Sequence, residues 1–155
     1  MAADMNGEGL AKSFGESPDT HVQTITANVT NQEDWKKMVD LAKDKFGGVD
    51  ILINNAGTSY KNKPTIDVTE AEFDKVIAVN VKSIYFSIPV IIPAMKERGG
   101  GSIINIASIG AMRPRPGLVW YGGHGSSAAD GNSLTIVQVQ CEQRRCRQCV
   151  CLRSR

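Results

Sequence analysis

Residues 49–57 read VDILINNAG, a continuous apolar run that ends in turn residues. The run is too short for a helix, and it shows no alternation of polar and apolar residues. This pattern is typical of a strand that is buried on both faces, as in a parallel sheet covered by helices. The stretch therefore predicts an α/β domain.

A strand and a helix are predicted on the N-terminal side of this run. Residues 22–26 form a first apolar run, and Thr30 and Glu33 follow with the spacing of a capping box. Gly47 and Gly48 supply a left-handed exit, so the helix is expected to end there. Between these limits apolar residues recur at helical intervals: Trp35, Met38, Val39, Ala42 and Phe46.

A second helix is predicted on the C-terminal side. Thr69 and Glu72 repeat the capping-box spacing, and an apolar stripe follows from residue 73 to residue 88. Pro89 and Pro93 are expected to kink or stop this helix, because proline lacks the backbone donor and its ring crowds the preceding turn.

The regular pattern ends near residue 120. Three glycines at 99–101 precede a strand over residues 102–107, and the order β-α-β-loop-α-β predicts parallel strands with right-handed crossovers. After Trp120 neither a helical stripe nor a closing turn follows. We therefore divide the chain into an incomplete α/β domain at 1–120 and a tail at 121–155.

The composition is that of a soluble globular protein. Of the 155 residues 41% are apolar and 22% are charged, and the formal net charge is +2. This balance gives no drive toward nucleic acid or an anionic membrane. The sequence has no run of about eighteen apolar residues, so it predicts no membrane span. The first residues lack the form of a secretory signal. A cytoplasmic location is expected.

Four motifs occur in an order that is typical of one family. They are NNAG at 54–57, AVNVKS at 78–83, GSIINIASIGA at 101–111, and Tyr121, thirteen residues after Ser108. With these motifs the chain resembles the short-chain dehydrogenase/reductase family, and especially 3-oxoacyl-carrier-protein reductases and sugar or polyol dehydrogenases. The resemblance implies a Rossmann-type, doubly wound parallel sheet for residues 3–120.

The resemblance also implies hydride transfer between a nicotinamide cofactor and a small-molecule carbonyl or secondary alcohol. It places the catalytic residues at Asn80, Ser108 and Tyr121. A carbonyl that accepts hydride develops alkoxide charge, so its oxygen needs a proton donor and a second hydrogen-bond donor. In the family the tyrosine donates the proton, the serine holds the oxygen and the asparagine orders a relay water. A lysine four residues after the tyrosine lowers the tyrosine pKa.

A cofactor site for NAD or NADP is implied in the same way. Asp4 would accept a hydrogen bond from the adenosine ribose and repel a 2′-phosphate, which favours NAD. Asn28 occupies the position that usually faces adenine. Small residues after the strand at 49–57 would let the ribose and nicotinamide approach the backbone. The full set is Asp4, Asn28, Val29, Asn54, Ala56 and Gly57.

Plainer interpretations stay open for several of these residues. Asn80 lies in the apolar stripe of its helix and would also suit a buried amide bonded to backbone. Ser108 would also suit a turn at the end of its strand, and residues 54–57 would suit the end of theirs. Residues 113–116, RPRP, would suit a proline-helix ligand, but we interpret them as a loop beside the substrate pocket. No metal site is expected.

Two parts of the family pattern are missing. The glycine-rich turn that holds the pyrophosphate, G-x-x-x-G-x-G, is absent together with the first strand and helix. The lysine is absent too, because Gly125 stands four residues after Tyr121. We therefore expect little or no activity from this chain. The alternative is a non-catalytic product, either a truncated isoform that binds full-length family members or a gene-model fragment.

The tail has the features of a retained intron followed by an exon translated in the wrong reading frame. Its codons at the 120/121 and 138/139 junctions permit a splice donor and a splice acceptor, so residues 121–138 fit a retained intron. Read one base later, the codons of residues 139–149 permit a string that begins Tyr-Asn-Ala-Ser-Lys-Gly-Ala. That string resembles the tyrosine and lysine segment of the family. Five arginines accompany all four cysteines in the last fifteen residues: Cys141, Cys146, Cys149 and Cys151.

Two other interpretations of the tail are less favoured. The cysteine spacing C-x4-C-x2-C-x-C is cramped for zinc, and no second pair of ligands faces it. The arginines would suit a nucleic-acid arm, but the last fifteen residues contain no aromatic side chain for stacking on bases. We expect neither zinc nor nucleic acid to bind the tail.

The resemblance has a consequence for the sheet. In the family order 3-2-1-4-5-6-7, the missing first strand would lie between the strand at 22–26 with its neighbour and the strand at 49–57. We therefore expect unpaired edges, exposed apolar faces and an aggregation-prone product. The parent family is homo-oligomeric, so a homo-oligomer is the expected assembly of an intact member.

Overall fold

The computed structural model describes residues 1–15, 21–108, 110, 115–123 and 134–137. Five helices and five strands occur in these ranges. In chain order they are β1 (Ala2–Asp4), α1 (Gly7–Phe14), β2 (Thr24–Thr26), α2 (Gln32–Phe46), β3 (Ile51–Asn54), α3 (Glu70–Ile77), α4 (Ser83–Glu97), β4 (Ser102–Ile106), α5 (Val119–Gly123) and β5 (Leu134–Val137). A 3-10 turn at Thr65–Asp67 precedes α3, and a π-helical turn at Ala78–Lys82 joins α3 to α4.

The strands form two separate sheets. β1 pairs with β2 in parallel, with Ala3 opposite Ile25, and β3 pairs with β4 in parallel, with Ile53 opposite Ile104. Among the described strands none joins the two sheets. The α/β class, the parallel pairing and the gap beside β3 are therefore confirmed.

β5 departs from the sequence expectation. The pattern after Trp120 predicts no further element, but β5 pairs with β4 in antiparallel orientation, with Leu134 opposite Ile106. Residues 134–137 read LTIV, which suits a short strand, and β4 offers it a free edge. The expectation was wrong here because four residues are too few to show a period.

One apolar core holds the helices against the strands. α2 and α4 lie side by side, as their many contacts show. α2 contributes the face that its sequence period predicts, except that Phe46, at its last position, is 38% exposed. In the stripe predicted at 73–88, Phe73 and Val81 are 36% and 42% exposed, and the core residues of α4 lie beyond that stripe. The core residues are Ala27, Trp35, Met38, Val39, Ile91, Ala94, Met95 and Ile103.

The start of α2 differs from the predicted capping box. The N-cap is Asn31, whose Oδ1 accepts from the backbone N–H of Glu33 at 2.8 Å. The Thr30 hydroxyl donates instead to Asn28 Oδ1, also at 2.8 Å. Asparagine caps at least as well as threonine, which explains the shift by one residue. The exit at Gly47 is confirmed, with φ of 75°.

The long helical stretch from α3 to α4 confirms one expectation and corrects another. Thr69 and Glu72 form the predicted capping box. Pro89 and Pro93 do not stop the helix, which continues to Glu97. Both prolines are exposed, as is Tyr85, so the carbonyls that lose a partner at residues 85 and 89 face water rather than the core.

The same stretch, Glu70–Glu97, is long and apolar enough to cross a membrane when length and composition alone are considered. It has 28 residues, and its most apolar window has a mean hydropathy of 1.7. Core helices of soluble proteins pass the same test. Here Ile91, Ala94 and Met95 pack into the core, although only 22% of the window is buried.

Candidate active site

The predicted cofactor residues follow the carboxyl ends of three parallel strands. Asp4 ends β1, Asn28 lies two residues beyond β2, and residues 54–57 end β3. The carboxyl ends of parallel strands form one edge of an α/β domain, where ligands bind. Asp4, Asn28, Ala56 and Gly57 are all exposed.

Local hydrogen bonds fix the first of these side chains. One oxygen of Asp4, Oδ1, accepts from the backbone N–H of Asn6 at 2.8 Å, which leaves Oδ2 open. Asn28 Oδ1 accepts from the backbone N–H of Thr30 at 3.0 Å and from its hydroxyl. The amide nitrogen of Asn28 donates no hydrogen bond among the described residues. The carbonyl of Val29 accepts from the Trp35 indole at 2.9 Å, so Val29 lies against the start of α2.

A side-chain hydrogen bond to β4 holds the end of β3. Asn54 Nδ2 donates to Asn105 Oδ1 at 2.8 Å, which ties the last residue of β3 to its partner on β4. Beyond it, Gly57 is exposed and not crowded by its neighbours. A Cβ there would meet only Asn80 Oδ1 at 3.8 Å and Asn55 O at 4.0 Å. The turn after β3 thus presents backbone to a ligand.

Asn80 clamps this turn. Its Oδ1 accepts from the backbone N–H of Thr58 at 2.8 Å, and its Nδ2 donates to the Thr58 carbonyl at 2.9 Å. The backbone-bonded interpretation of Asn80 is therefore confirmed, and its family role remains a prediction. Asn80 stands at the centre of the π-helical turn, and such turns occur frequently at functional sites.

Ser108 and Tyr121 meet around Gly110. The Ser108 hydroxyl oxygen accepts from the Gly110 N–H at 3.2 Å. A Cβ at Gly110 would lie 3.3 Å from Cε1 of Tyr121 and 3.5 Å from Ser108 Oγ, so both side chains pack against this glycine. Together with Arg115 and Leu118 they line one cavity of about 210 Å³. The structure therefore brings together two of the three predicted catalytic side chains.

α5 carries Tyr121 and is docked on the rest of the chain by its first residues. The Trp120 N–H donates to the hydroxyl of the buried Tyr60 at 3.1 Å, and its indole packs edge-on against Phe73, with ring centroids 5.6 Å apart. These contacts connect α5 to the loop after β3 and to α3.

The loop at 113–116 was interpreted as lying beside the substrate pocket. Arg115 lines the cavity with Ser108 and Tyr121, which agrees with that placement. Arg113 and Pro114 lie outside the described residues, as do Gly125 and the four cysteines of the tail. In the described ranges no group of three or more His, Cys, Asp or Glu side chains could hold a metal ion.

Comparison with known proteins decides the family. The sequence profile described as short chain dehydrogenase matches residues 1–130. The chain belongs to this family. A relative among the short chain dehydrogenases, 4-formylbenzenesulfonate dehydrogenase of Comamonas testosteroni, is 39% identical over 125 residues, which are 79% of this chain and 50% of that protein.

Solved structures of other short chain dehydrogenases share the fold. The 3-ketoacyl-(acyl-carrier-protein) reductase of Brucella melitensis, in complex with NADH, aligns with a TM-score of 0.75 at 36% identity over 81% of this chain and 53% of that chain. NAD⁺-bound xylitol dehydrogenase aligns with a TM-score of 0.73 at 28% identity over 81% and 50%. The fold is therefore the Rossmann-type fold of the family. The chain spans about half the length of the curated relatives it matches, or 50%, 43% and 39% for three of them.

Three features of the site had no signal strong enough to be found in the sequence. Asn105 bonds across β3 and β4, but register is needed to see that it faces Asn54. Thr58 is recognised through its backbone, which any residue supplies. The π-helical turn follows from no residue type, although asparagine within an apolar helical stripe was a hint that the helix has a polar contact there.

Proposed function

We propose that the described residues form the site of an NAD(P)-dependent oxidoreductase that transfers hydride between a nicotinamide cofactor and a carbonyl or secondary alcohol. One observation carries the proposal: Ser108 and Tyr121 line a single cavity. The relatives whose structures contain NADH and NAD⁺ support it. A small-molecule substrate, a cytoplasmic location and a homo-oligomer belong to the same proposal.

The residues present fit most of a nicotinamide cofactor. Asp4 Oδ2 is open to a ribose hydroxyl, and the amide nitrogen of Asn28 donates no hydrogen bond among the described residues. Exposed Ala56 and Gly57 leave room for backbone contact at the nicotinamide end. The sequence has no glycine-rich turn for the pyrophosphate, so we expect weak affinity. The open carboxylate of Asp4 disfavours a 2′-phosphate, which makes NAD the favoured cofactor.

The bound cofactor would supply the hydride, and the cavity residues would act on the substrate oxygen. Because the Ser108 oxygen already accepts from Gly110, its own O–H is the group left to donate to the substrate. Tyr121 would donate the proton, with the support that the family resemblance assigns to a lysine four residues later. With Gly125 in the lysine position, we expect turnover to be very slow.

Cofactor titration of the full chain tests this proposal. Calorimetry with NADH and NADPH should show measurable binding, tighter for NADH. Asp4→Asn should reduce that preference because it removes the charge that repels the 2′-phosphate. Asp67→Asn, at another exposed carboxylate, should leave it unchanged. Absence of binding to either cofactor would refute the oxidoreductase proposal and favour a non-catalytic isoform or a gene-model fragment.

The division at residue 120 is a separate proposal: residues 121–138 translate a retained intron and 139–155 an out-of-frame exon. It is supported by the codons permitted on both sides of the segment. Sequencing of the transcript decides it. We expect the codons of residues 139–146 to read Tyr-Asn-Ala-Ser-Lys-Gly-Ala one base later, and any other string contradicts the proposal.

A further inference from the structure

Arg115 stands on a turn that the rest of the chain holds in place. The N–H of Leu118 donates to the Arg115 carbonyl at 3.1 Å, which closes the turn. Two hydrogen bonds from the loop after β3 hold this turn. Asn62 Nδ2 donates to the Pro116 carbonyl at 2.7 Å, and the Lys63 N–H donates to the Gly117 carbonyl at 3.3 Å.

Gly117 shows that this contact is close. Its φ is 78°, in the left-handed region, and a Cβ at this position would collide with the Asn62 side chain. Glycine at position 117 therefore allows both the left-handed backbone and the close approach of Asn62. A turn anchored by three hydrogen bonds keeps the Arg115 backbone fixed relative to the cavity.

Arg115 has no oppositely charged partner among the described residues. Arg98, by contrast, pairs with Asp50 at 3.1 Å, and Lys63 pairs with Glu72 at 2.7 Å. Arg115 takes part in none of the ion pairs or side-chain hydrogen bonds found among the described residues. No acidic side chain is among the described residues that line its cavity, which are Ser108, Gly110, Arg115, Leu118 and Tyr121.

The cavity has the size and lining for one small ring. Its volume of about 210 Å³ exceeds the roughly 150 Å³ of an apolar cavity that holds benzene. Leu118 gives it an apolar wall, and Ser108 and Tyr121 contribute the hydroxyl-bearing side chains of its lining. A ligand there can direct one group at the hydroxyls and another at the guanidinium.

We propose that Arg115 selects a carbonyl or alcohol substrate that carries an anionic group, such as a carboxylate, on a single small ring. This inference rests on the proposed function, because it names the substrate class of the same site. Guanidinium binds carboxylates and similar anions through paired, charge-assisted hydrogen bonds. The fixed turn lowers the entropy that this contact costs.

Binding of benzoate and its neutral analogue benzamide to the full chain tests the proposal. By calorimetry at low salt, benzoate should bind about tenfold more tightly than benzamide, as expected for one charge-assisted contact. Arg115→Gln should abolish the preference. Lys61→Gln, a nearby exposed cation outside the cavity lining, should preserve it. High salt should weaken the preference, because Arg115 is exposed.

Three results overturn the inference. Equal binding of benzoate and benzamide, or a preference that survives Arg115→Gln, shows that Arg115 selects nothing. Displacement of benzoate by ADP shows that Arg115 holds a phosphate of the cofactor instead. The cofactor titration is read separately. NADH binding without a benzoate preference overturns the inference and leaves the proposed function intact. A benzoate preference without NADH binding refutes the proposed function, and with it the assignment of the bound anion as a substrate.

Discussion

At the residue scale, Asn80 shows how one side chain stabilises the site. Its amide donates and accepts at the backbone of Thr58, so it requires both an oxygen and an NH₂ group. The carboxyl group of aspartate supplies only acceptors when it is ionised. The turn after β3 therefore depends on the amide itself rather than on polarity in general.

Asn80→Asp should destabilise the chain by about 1–3 kcal/mol, because the Thr58 carbonyl loses its donor in a partly buried place. The free energy of unfolding in urea measures this loss. Asn55→Asp makes the same chemical change at an exposed neighbouring residue and should have little effect. Equal losses in the two variants would contradict the clamp.

At this scale the sequence predicted which residues belong to the site better than it predicted their hydrogen-bond partners. It placed Ser108 and Tyr121 in one site, and the structure shows them around one glycine. It could not show that Asn54 bonds to Asn105, since strand register decides which side chains face each other. It also placed the cap of α2 on Thr30 rather than Asn31, because both residue types are good caps and the choice depends on the loop before them.

At the scale of elements, the start of α3 is held by a capping box and an ion pair. Glu72 accepts from the backbone N–H of Thr69 and from Lys63, and these bonds, that to Lys63 above all, lower the pKa of Glu72 to about 2. Residue 72 thereby joins the loop after β3 to α3. The spacing of two residues indicated this capping box, although the same spacing at Thr30 and Glu33 gave a cap one residue too early. The lysine comes from a loop without a pattern.

This pKa gives a pH dependence. A carboxyl group with a folded pKa near 2 and an ordinary pKa of 4.5 stabilises the fold above pH 4.5, and the contribution is lost as the pH falls toward 2. Glu72→Gln should therefore flatten the pH dependence of unfolding between pH 4.5 and 2. Glu70→Gln, in the same turn but exposed, is the control, and a similar flattening there would argue against the assignment.

The helix from residue 83 to residue 97 continues past two prolines. Proline is expected to break a helix, but the cost depends on whether the carbonyl that loses its partner is buried. Pro89 and Pro93 lie on the exposed side, and the buried side formed by Ile91, Ala94 and Met95 packs into the core. Tertiary packing therefore decides the length of this helix.

At the scale of the whole molecule, the two sheets leave an apolar surface uncovered. Ile51 and Ile53 of β3 are 61% and 58% exposed, and Ile106 of β4 lies on the same face. The edge of β3 away from β4 pairs with none of the described strands. An exposed edge with apolar side chains is a template for pairing between copies. The gap between the sheets was predictable from the family strand order, but β5 was not, because it is short.

Ile53→Lys should lower aggregation of the chain with little loss of stability, because a charged residue on an edge strand opposes pairing with a second copy and this side chain is already exposed. Light scattering during thermal unfolding and size-exclusion chromatography measure the effect. Leu52→Lys is the matched control: Leu52 points to the other face of the same strand and packs against the core, so this variant should unfold more readily and aggregate more. If Ile53→Lys aggregates as the unmodified chain does, β3 is not the surface through which copies associate.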